Sequence, residues 1–130
     1  MRYLKLFEGF SDVSKGLVTD ITYHQFVSLL DERTSLKILE SEVEMITRLL
    51  RPHYSKMVWS YGNMEWEGLE GSVLHPFVQM WPEDDDFDIN FYVYKFSDEW
   101  WVIETGDRSE VVSTCLIDSF EGLELWAKNI

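Results

Sequence analysis

Cysteine is almost absent from this sequence, since Cys115 is the only one. One thiol excludes a disulfide within the chain and a zinc site built from several cysteines, and it fits a reducing compartment. Long apolar runs are also missing, because no stretch approaches the roughly 18 residues that a membrane-spanning helix needs. Arg2 and Lys5 interrupt the N-terminus where a secretory signal requires an apolar segment. We therefore expect a cytoplasmic protein that does not contact a membrane.

Positive charge is the second shortage. Lys and Arg number 11 against 24 Asp and Glu, which leaves a net charge of −13. Because affinity for phosphate depends on Lys and Arg, this balance excludes direct binding of nucleic acid. Residues 1–57 hold eight charges of each sign, so the excess lies in residues 58–130, with three basic and sixteen acidic side chains. Such asymmetry predicts an acidic face with a role of its own; the alternative is that the charge only keeps the protein soluble.

The remaining composition is that of a folded domain. Of the 130 residues, 45% are apolar and 15% are aromatic, which is too much for a disordered acidic tail. The chain shows neither internal repeats nor a low-complexity linker, and its length suits one core. We expect a single domain over residues 1–130, in which residues 1–20 form an ordered arm with little regular structure.

Two helices are predicted in the first half of the chain. Thr22, followed three residues later by Gln25, forms a capping box, and the helix that begins there should end near Asp31. A second helix is expected to begin at Ser41, because apolar residues recur at helical spacing after it. Pro52 ends this second helix.

Strand patterns follow the second helix. Gly62-Asn63 suits the tight turn of a hairpin between two apolar runs. Pro76 makes residues 73–81 either an edge strand or an irregular segment. The clearest alternation of apolar and polar residues begins at Phe87. The strands expected on this basis cover residues 57–61, 64–69, 87–96, 100–105 and 111–117.

This order of elements predicts an α+β domain. It should contain two N-terminal helices, an antiparallel β-meander of about four to five strands, and a C-terminal helix that begins at Asp118 or Ser119. We expect the helices to pack on one face of the sheet. The other face is then exposed, unless residues 64–81 or the N-terminal arm cover it.

Motifs that indicate catalysis or metal binding are missing. His24, His53 and His75 are far apart and do not have the spacing of metal ligands. Cys115 lies in a predicted strand of the acidic half, where the negative field would raise its pKa. The acidic run at residues 83–88 lacks the alternating ligands and the central glycine of an EF-hand loop. We therefore expect no enzymatic activity, no metal and no other cofactor.

Aromatic side chains alternate with acidic ones in the second half of the chain. Tyr92 and Tyr94 share one face of a predicted strand, whereas the adjacent Trp100 and Trp101 point to opposite faces. Tyr and Trp dominate protein interfaces, and carboxylates along a surface can imitate the phosphates of a nucleic acid. The residues predicted to bind a partner are Glu83, Asp84, Asp85, Asp86, Asp88, Tyr92, Tyr94, Asp98, Glu99, Trp100, Trp101 and Glu104.

Three segments carry a resemblance: residues 1–8 (MRYLKLFE), 93–102 (VYKFSDEWWV) and 118–123 (DSFEGL). They resemble small acidic accessory proteins of tailed bacteriophages. Those relatives tend to have a Cys-Asp-Gln stretch before the last helix, where this chain has Ile117-Asp118-Ser119. The resemblance implies a phage protein made in the cytoplasm of the bacterial host, and it supplies no catalytic residues. Small acidic phage proteins often inhibit host nucleases or defence complexes, some by mimicking DNA.

The leading hypothesis is therefore a non-enzymatic inhibitor. It would bind a basic surface, such as the nucleic-acid-binding site of a bacterial defence or nucleic-acid-processing protein. Two alternatives stay open: a structural or assembly protein of the virion, and a protein that sequesters a signalling nucleotide. A homodimer is compatible with each of the three.

Overall fold

The computed structural model describes residues 18–68, 71–83, 88–97, 99–107 and 110–130. This part of the chain contains six strands and three helices, none of which is long and apolar enough to cross a membrane. The strands form one sheet in the order β1-β6-β5-β4-β3-β2, and every neighbouring pair is antiparallel. In chain order the elements are β1 (Val18–Asp20), α1 (Tyr23–Glu32), α2 (Glu40–Leu50), β2 (Met57–Gly68), β3 (Gly71–Pro82), β4 (Ile89–Lys95), β5 (Trp100–Asp107), β6 (Glu110–Asp118) and α3 (Ser119–Lys128).

The predicted meander of four to five strands is wrong, because the sheet has six. The strands expected at 57–61 and 64–69 are both parts of β2, and two observed strands lie outside the expected set. One is β3, in the region predicted to be an edge strand or irregular, and it is not an edge because it pairs with both β2 and β4. The other is β1, which lies in the expected N-terminal arm and pairs with β6, so that Val18 is opposite Ile117. At three residues it is too short for its alternation to be recognised, and only the distant β6 makes it a strand. Pro76 does not interrupt β3 either, because β3 pairs with β4 only over Val78–Met80. The missing N–H of Pro76 therefore costs no ladder bond to β4.

The turn predicted at Gly62-Asn63 is also wrong. Gly62 lies inside β2, where it is paired with Phe77 of β3, and the hairpin turns between Gly68 and Gly71 instead. A Cβ atom at Gly62 would lie 2.7 Å from Cζ of Phe77, so the aromatic ring needs the space that glycine leaves. Gly62 therefore serves packing across the hairpin and not chain reversal.

The helices pack on both faces of the sheet, which contradicts the prediction that they share one face. On the first face, called here the α2–α3 face, helices α2 and α3 cover Phe91, Val93 and Ile103. On the second, called the α1 face, Phe26, Leu29 and Leu30 of α1 pack on the opposite side of the same strands. The sheet residues under α1 are Tyr94, Phe96, Trp100, Val102 and Leu116.

The chain passes from one face to the other through a gap between β3 and β4. In the α1–α2 connection, the Ser35 hydroxyl donates to the carbonyl of Pro76 at 2.7 Å, and the Ser35 N–H donates to Nδ1 of His75 at 3.2 Å. The next residue, Leu36, bridges to Lys95 at the end of β4. This connection fills the gap where β3 has left β4, and thus places α1 and α2 on opposite faces.

Helix boundaries follow local capping. The Thr22–Gln25 capping box that begins α1 is confirmed. The second helix begins at Glu40, and Glu42 Oε1 accepts the N–H of Leu39 at 3.0 Å. The second carboxylate oxygen of Glu42 lies 2.8 Å from Nζ of Lys95, a buried residue of β4. Glu42 thus caps α2 and also attaches it to the sheet.

Candidate functional site

The two acidic segments predicted to act together lie at opposite ends of the sheet. Glu83 and Asp88 lie between β3 and β4, whereas Glu99 lies between β4 and β5. The seven residues of β4 separate them by about 20 Å. Asp84, Asp85, Asp86 and Asp98 lie outside the described residues. The structure therefore does not bring the described members of these two segments into one surface.

Most of the predicted aromatic anchors are buried. The exposed fraction is 3% for Tyr94, 7% for Trp100 and 3% for Trp101. Trp100 packs under α1, and Trp101 belongs to the core on the α2–α3 face, where Lys95 Nζ lies 5.5 Å from the centre of its ring. The prediction that these aromatic side chains are exposed assumed that one face of the sheet carries no helix, whereas helices cover part of both faces. Tyr92 is half-buried and keeps part of its surface.

Three of the predicted residues do come together. Tyr92, Tyr94 and Glu104 line one pocket on the α1 face, which has a volume of about 290 Å³. The register of β4 and β5 explains this, because Tyr92 lies directly opposite Glu104. The alternation of β4 correctly places Tyr92 and Tyr94, two of the eight lining residues, on one face of the sheet. The remaining lining residues are Met64, Asn90, Gly106, Glu110 and Val111.

The pocket is open because α1 covers only one end of this face. The buried cluster under α1 includes Tyr94, Phe96 and Trp100, and the ring of Phe26 on α1 lies 5.2 Å from that of Tyr94, at the border of the pocket. A bulge between Thr105 and Gly106 shifts the register, so that Gly106 is opposite Val111. Gly106 also leaves the floor of the pocket without a side chain. Periodicity could not reveal this bulge, because it depends on how β5 meets β6.

Glu104 is the unusual residue of the pocket. It lies in a central strand, its exposed fraction is 9%, and burial raises the pKa of its carboxyl group. No hydrogen bond or ion pair to Glu104 occurs within the described part of the chain. Burial, with smaller contributions from Glu104 and Tyr92, also raises the pKa of Tyr94. A buried carboxyl group without a partner costs stability, which is typical of a site selected for binding.

A polar network supports one wall of the pocket. The side-chain amide of Gln79 on β3 donates to Asn90 Oδ1 at 3.2 Å and to the Tyr92 hydroxyl oxygen at 3.4 Å. Both acceptors belong to residues that line the pocket. Gln79 therefore orients two oxygen-bearing side chains beside Glu104 and restricts their rotation.

Acidic side chains surround this end of the sheet. Asp107 and Glu110 are paired with each other at the β5–β6 turn, and Asp107 is also paired with Ile89, the residue after Asp88. Asp88, Asp107 and Glu110 are all exposed. Lys56 lies at the same end, where its Nζ is 2.6 Å from the carboxylate of Glu83. The pocket thus opens beside a predominantly negative rim.

Two other surface pockets have fewer features that indicate a binding function than the pocket around Glu104. One of about 450 Å³ on the α2–α3 face contains Cys115, whose thiol lies 3.3 Å from Asp20 Oδ1. Burial, together with Asp20, raises the pKa of that thiol to about 12, so it stays protonated and is a poor nucleophile. The other, of about 310 Å³, is lined by Arg51, His53 and Lys56 among others, and all three are exposed.

Within the described ranges, no group of three or more His, Cys, Asp or Glu residues is arranged to hold a metal ion. No protein-family model, curated protein or solved structure matches this chain. The pocket around Glu104 and its acidic rim are therefore the features from which a function is argued.

Proposed function

We propose that this chain is a non-enzymatic binding protein that engages a basic surface of a bacterial defence or nucleic-acid-processing protein. The observation that carries the proposal is the open pocket around Glu104 beside the acidic rim of Asp88, Asp107 and Glu110. The rim supplies negative charge, and the pocket supplies a concave surface with aromatic walls. Together they favour a protein partner that presents positive charge and at least one side chain able to enter.

Charge supports this proposal through association kinetics. A net charge of −13 attracts a basic surface over several ångströms, and such steering raises association rates by about 10- to 1,000-fold at low salt. The rim directs this attraction to one end of the sheet. An inhibitor gains from fast association, because it must compete with nucleic acid for the same basic groove.

The origin in a bacteriophage, and inhibition by mimicry of DNA, rest on the resemblance of the three sequence segments. Asp107 and Glu110 supply carboxylates on one surface of the described molecule, as mimicry requires. The nucleotide alternative is weaker at this site, because Glu104 and Glu110 line the pocket and would repel a phosphate.

The proposal is tested by capture from a bacterial lysate, followed by kinetics with the partner identified. The test variant combines Asp107→Asn and Glu110→Gln. Its matched control combines Glu44→Gln and Glu65→Gln, which are exposed residues away from the rim and change the net charge equally. We expect the test variant to slow association about tenfold at low salt, with little effect at high salt.

Two results would contradict the proposal. In the first, both double variants slow association equally, so that only net charge matters. In the second, neither variant changes association with any captured protein. Circular dichroism and thermal unfolding of both variants establish that they keep the fold.

A further inference from the structure

We propose that the pocket around Glu104 receives a cationic side chain, Lys or Arg, from the partner, and that Glu104 is its counter-ion. This inference rests on the proposed function and specifies the chemistry of recognition at the same site. The rim attracts the partner from a distance, whereas the pocket determines which side chain of the partner can bind. The two parts therefore contribute to different steps of binding.

Glu104 is the buried acidic residue of the pocket. The residue is about nine-tenths buried and lines the pocket, and the described residues provide neither a hydrogen bond nor an ion pair to its carboxyl group. The residue opposite Glu104 on β6 is Thr114, and the residue opposite it on β4 is Tyr92, so neither neighbouring position supplies a positive charge. A cation that enters the pocket would find an uncompensated charge at low dielectric, where attraction is strong.

The size of the pocket limits what can bind in it. The pocket of about 290 Å³ lies at the lower limit of ordinary small-molecule sites, which are about 300–1,000 Å³. It can hold one long side chain but not a nucleotide with its sugar and phosphates. The thioether of Met64 and the rings of Tyr92 and Tyr94 suit the methylene stem of Lys or Arg.

The side chains that line the pocket favour a cation. Tyrosine rings attract cations at their faces, and carbonyl and hydroxyl oxygens accept hydrogen bonds from ammonium or guanidinium groups. Asn90 Oδ1 and the Tyr92 oxygen are held in place by Gln79, beside Glu104. Among the lining residues, Glu110 adds a second carboxylate and no residue is basic. The pocket is thus rich in acceptors and matched to a donor that carries positive charge.

Side-chain analogues test the inference without the partner. The full chain is titrated with butylammonium and with butylguanidinium at constant ionic strength and pH 8, with butanol as the uncharged control. Backbone amide chemical shifts in two-dimensional NMR report the site. We expect saturable shifts at Tyr92, Glu104 and Gly106 with at least one cation and none with butanol. In Glu104→Gln the apparent Kd should rise at least tenfold.

Acidification provides a test in the unmodified chain, which matters if Glu104→Gln does not fold. Protonation of Glu104 should abolish cation binding as the pH falls through its raised pKa. Tyr92 and Tyr94 on β4 and Glu110 on β6 are the other titratable residues that line the pocket, and burial raises the pKa of Tyr94. The same loss of cation binding on acidification is expected in the variant Glu110→Gln, in which Glu104 is the remaining carboxyl group of the pocket. Binding that is absent at pH 8, or equal in the wild type and Glu104→Gln, overturns the inference.

Different results would overturn the inference about the pocket and the proposed function. If Glu104→Gln binds the captured partner with unchanged affinity while Asp107→Asn with Glu110→Gln slows association, the pocket does not seat a cation from that partner. The proposed function then survives and this inference is overturned. If the cations bind at Glu104 but neutralising the rim never affects a protein partner, the proposed function is the part that fails.

Discussion

Glu104 lowers the stability of the protein in a pH-dependent way. Its folded-state pKa is raised above the value of 4.5 that an unfolded chain shows, because burial disfavours the charged form. Between these two values the folded state binds more protons, so stability falls as the pH rises. Below pH 4.5 both states are protonated and the penalty disappears. The carboxyl group therefore destabilises the fold most at neutral and alkaline pH.

Replacing Glu104 by Gln should remove this penalty. We expect Glu104→Gln to raise the free energy of unfolding at pH 8 and to have little effect at pH 3.5, measured by urea unfolding. The exposed Glu65 provides the control, since Glu65→Gln should leave stability nearly unchanged at both values. A stability loss at pH 8 in Glu104→Gln would mean that the carboxylate has a stabilising role within the fold.

His75 has the opposite dependence on pH. It is fully buried at the gap through which the chain changes faces, and Nδ1 accepts the Ser35 N–H. Burial lowers its pKa below 6.5, although the Leu30 carbonyl and Asp31 on α1 oppose this shift. The unfolded state then binds more protons, so the contribution of neutral His75 is lost as the pH falls from about 6.5 through the folded pKa.

We expect His75→Asn, which keeps an acceptor near Ser35, to reduce the loss of stability between pH 7.5 and pH 5. His75→Ala should cost about 2–4 kcal/mol at pH 7.5, because it leaves a cavity and an unsatisfied N–H. Urea unfolding measures both effects. His24 is exposed, so His24→Gln serves as the control. Equal pH dependence in wild type and His75→Asn would exclude His75 as its source.

At the scale of elements, local signals were sufficient for some predictions and not for others. The capping box at Thr22 is read from four consecutive residues, and the structure confirms it. The three residues of β1 and the side on which α1 packs depend on partners far along the chain. Alternation placed Tyr92 and Tyr94 on one face, but the burial of Trp100 and Trp101 follows from helices on both faces.

Gly62 shows how a local motif can mislead. Glycine before asparagine is typical of a hairpin turn, but here the ring of Phe77 occupies the space beside Gly62. We expect Gly62→Ala to destabilise the protein by about 1–3 kcal/mol, because the added methyl group displaces that ring. Thermal unfolding provides the measurement. In a Phe77→Leu background the same change should cost much less, and equal costs in both backgrounds would argue against the contact.

At the scale of the whole molecule, the arrangement of charge matters more than its total. Helices cover the α2–α3 face and one end of the α1 face, so the open surface beside Glu104 coincides with the acidic end of the sheet. The segment from Glu83 to Asp88 joins β3 to β4 at this end. Glu83, after β3, and Asp88, before β4, are the described acidic residues of this segment, and both are exposed.

The triple change Asp84→Asn, Asp85→Asn and Asp86→Asn should slow association with the captured partner about tenfold at low salt, because it removes three negative charges from the stretch of sequence between β3 and β4. Dissociation should change less, since the pocket stays intact. Biolayer interferometry at two salt concentrations gives both rates, and far-ultraviolet circular dichroism verifies folding. A control triple, Glu40→Gln with Glu44→Gln and Glu65→Gln, changes net charge equally on exposed positions elsewhere. If the control triple slows association as much, association depends on the net charge of the protein and not on where the acidic residues lie.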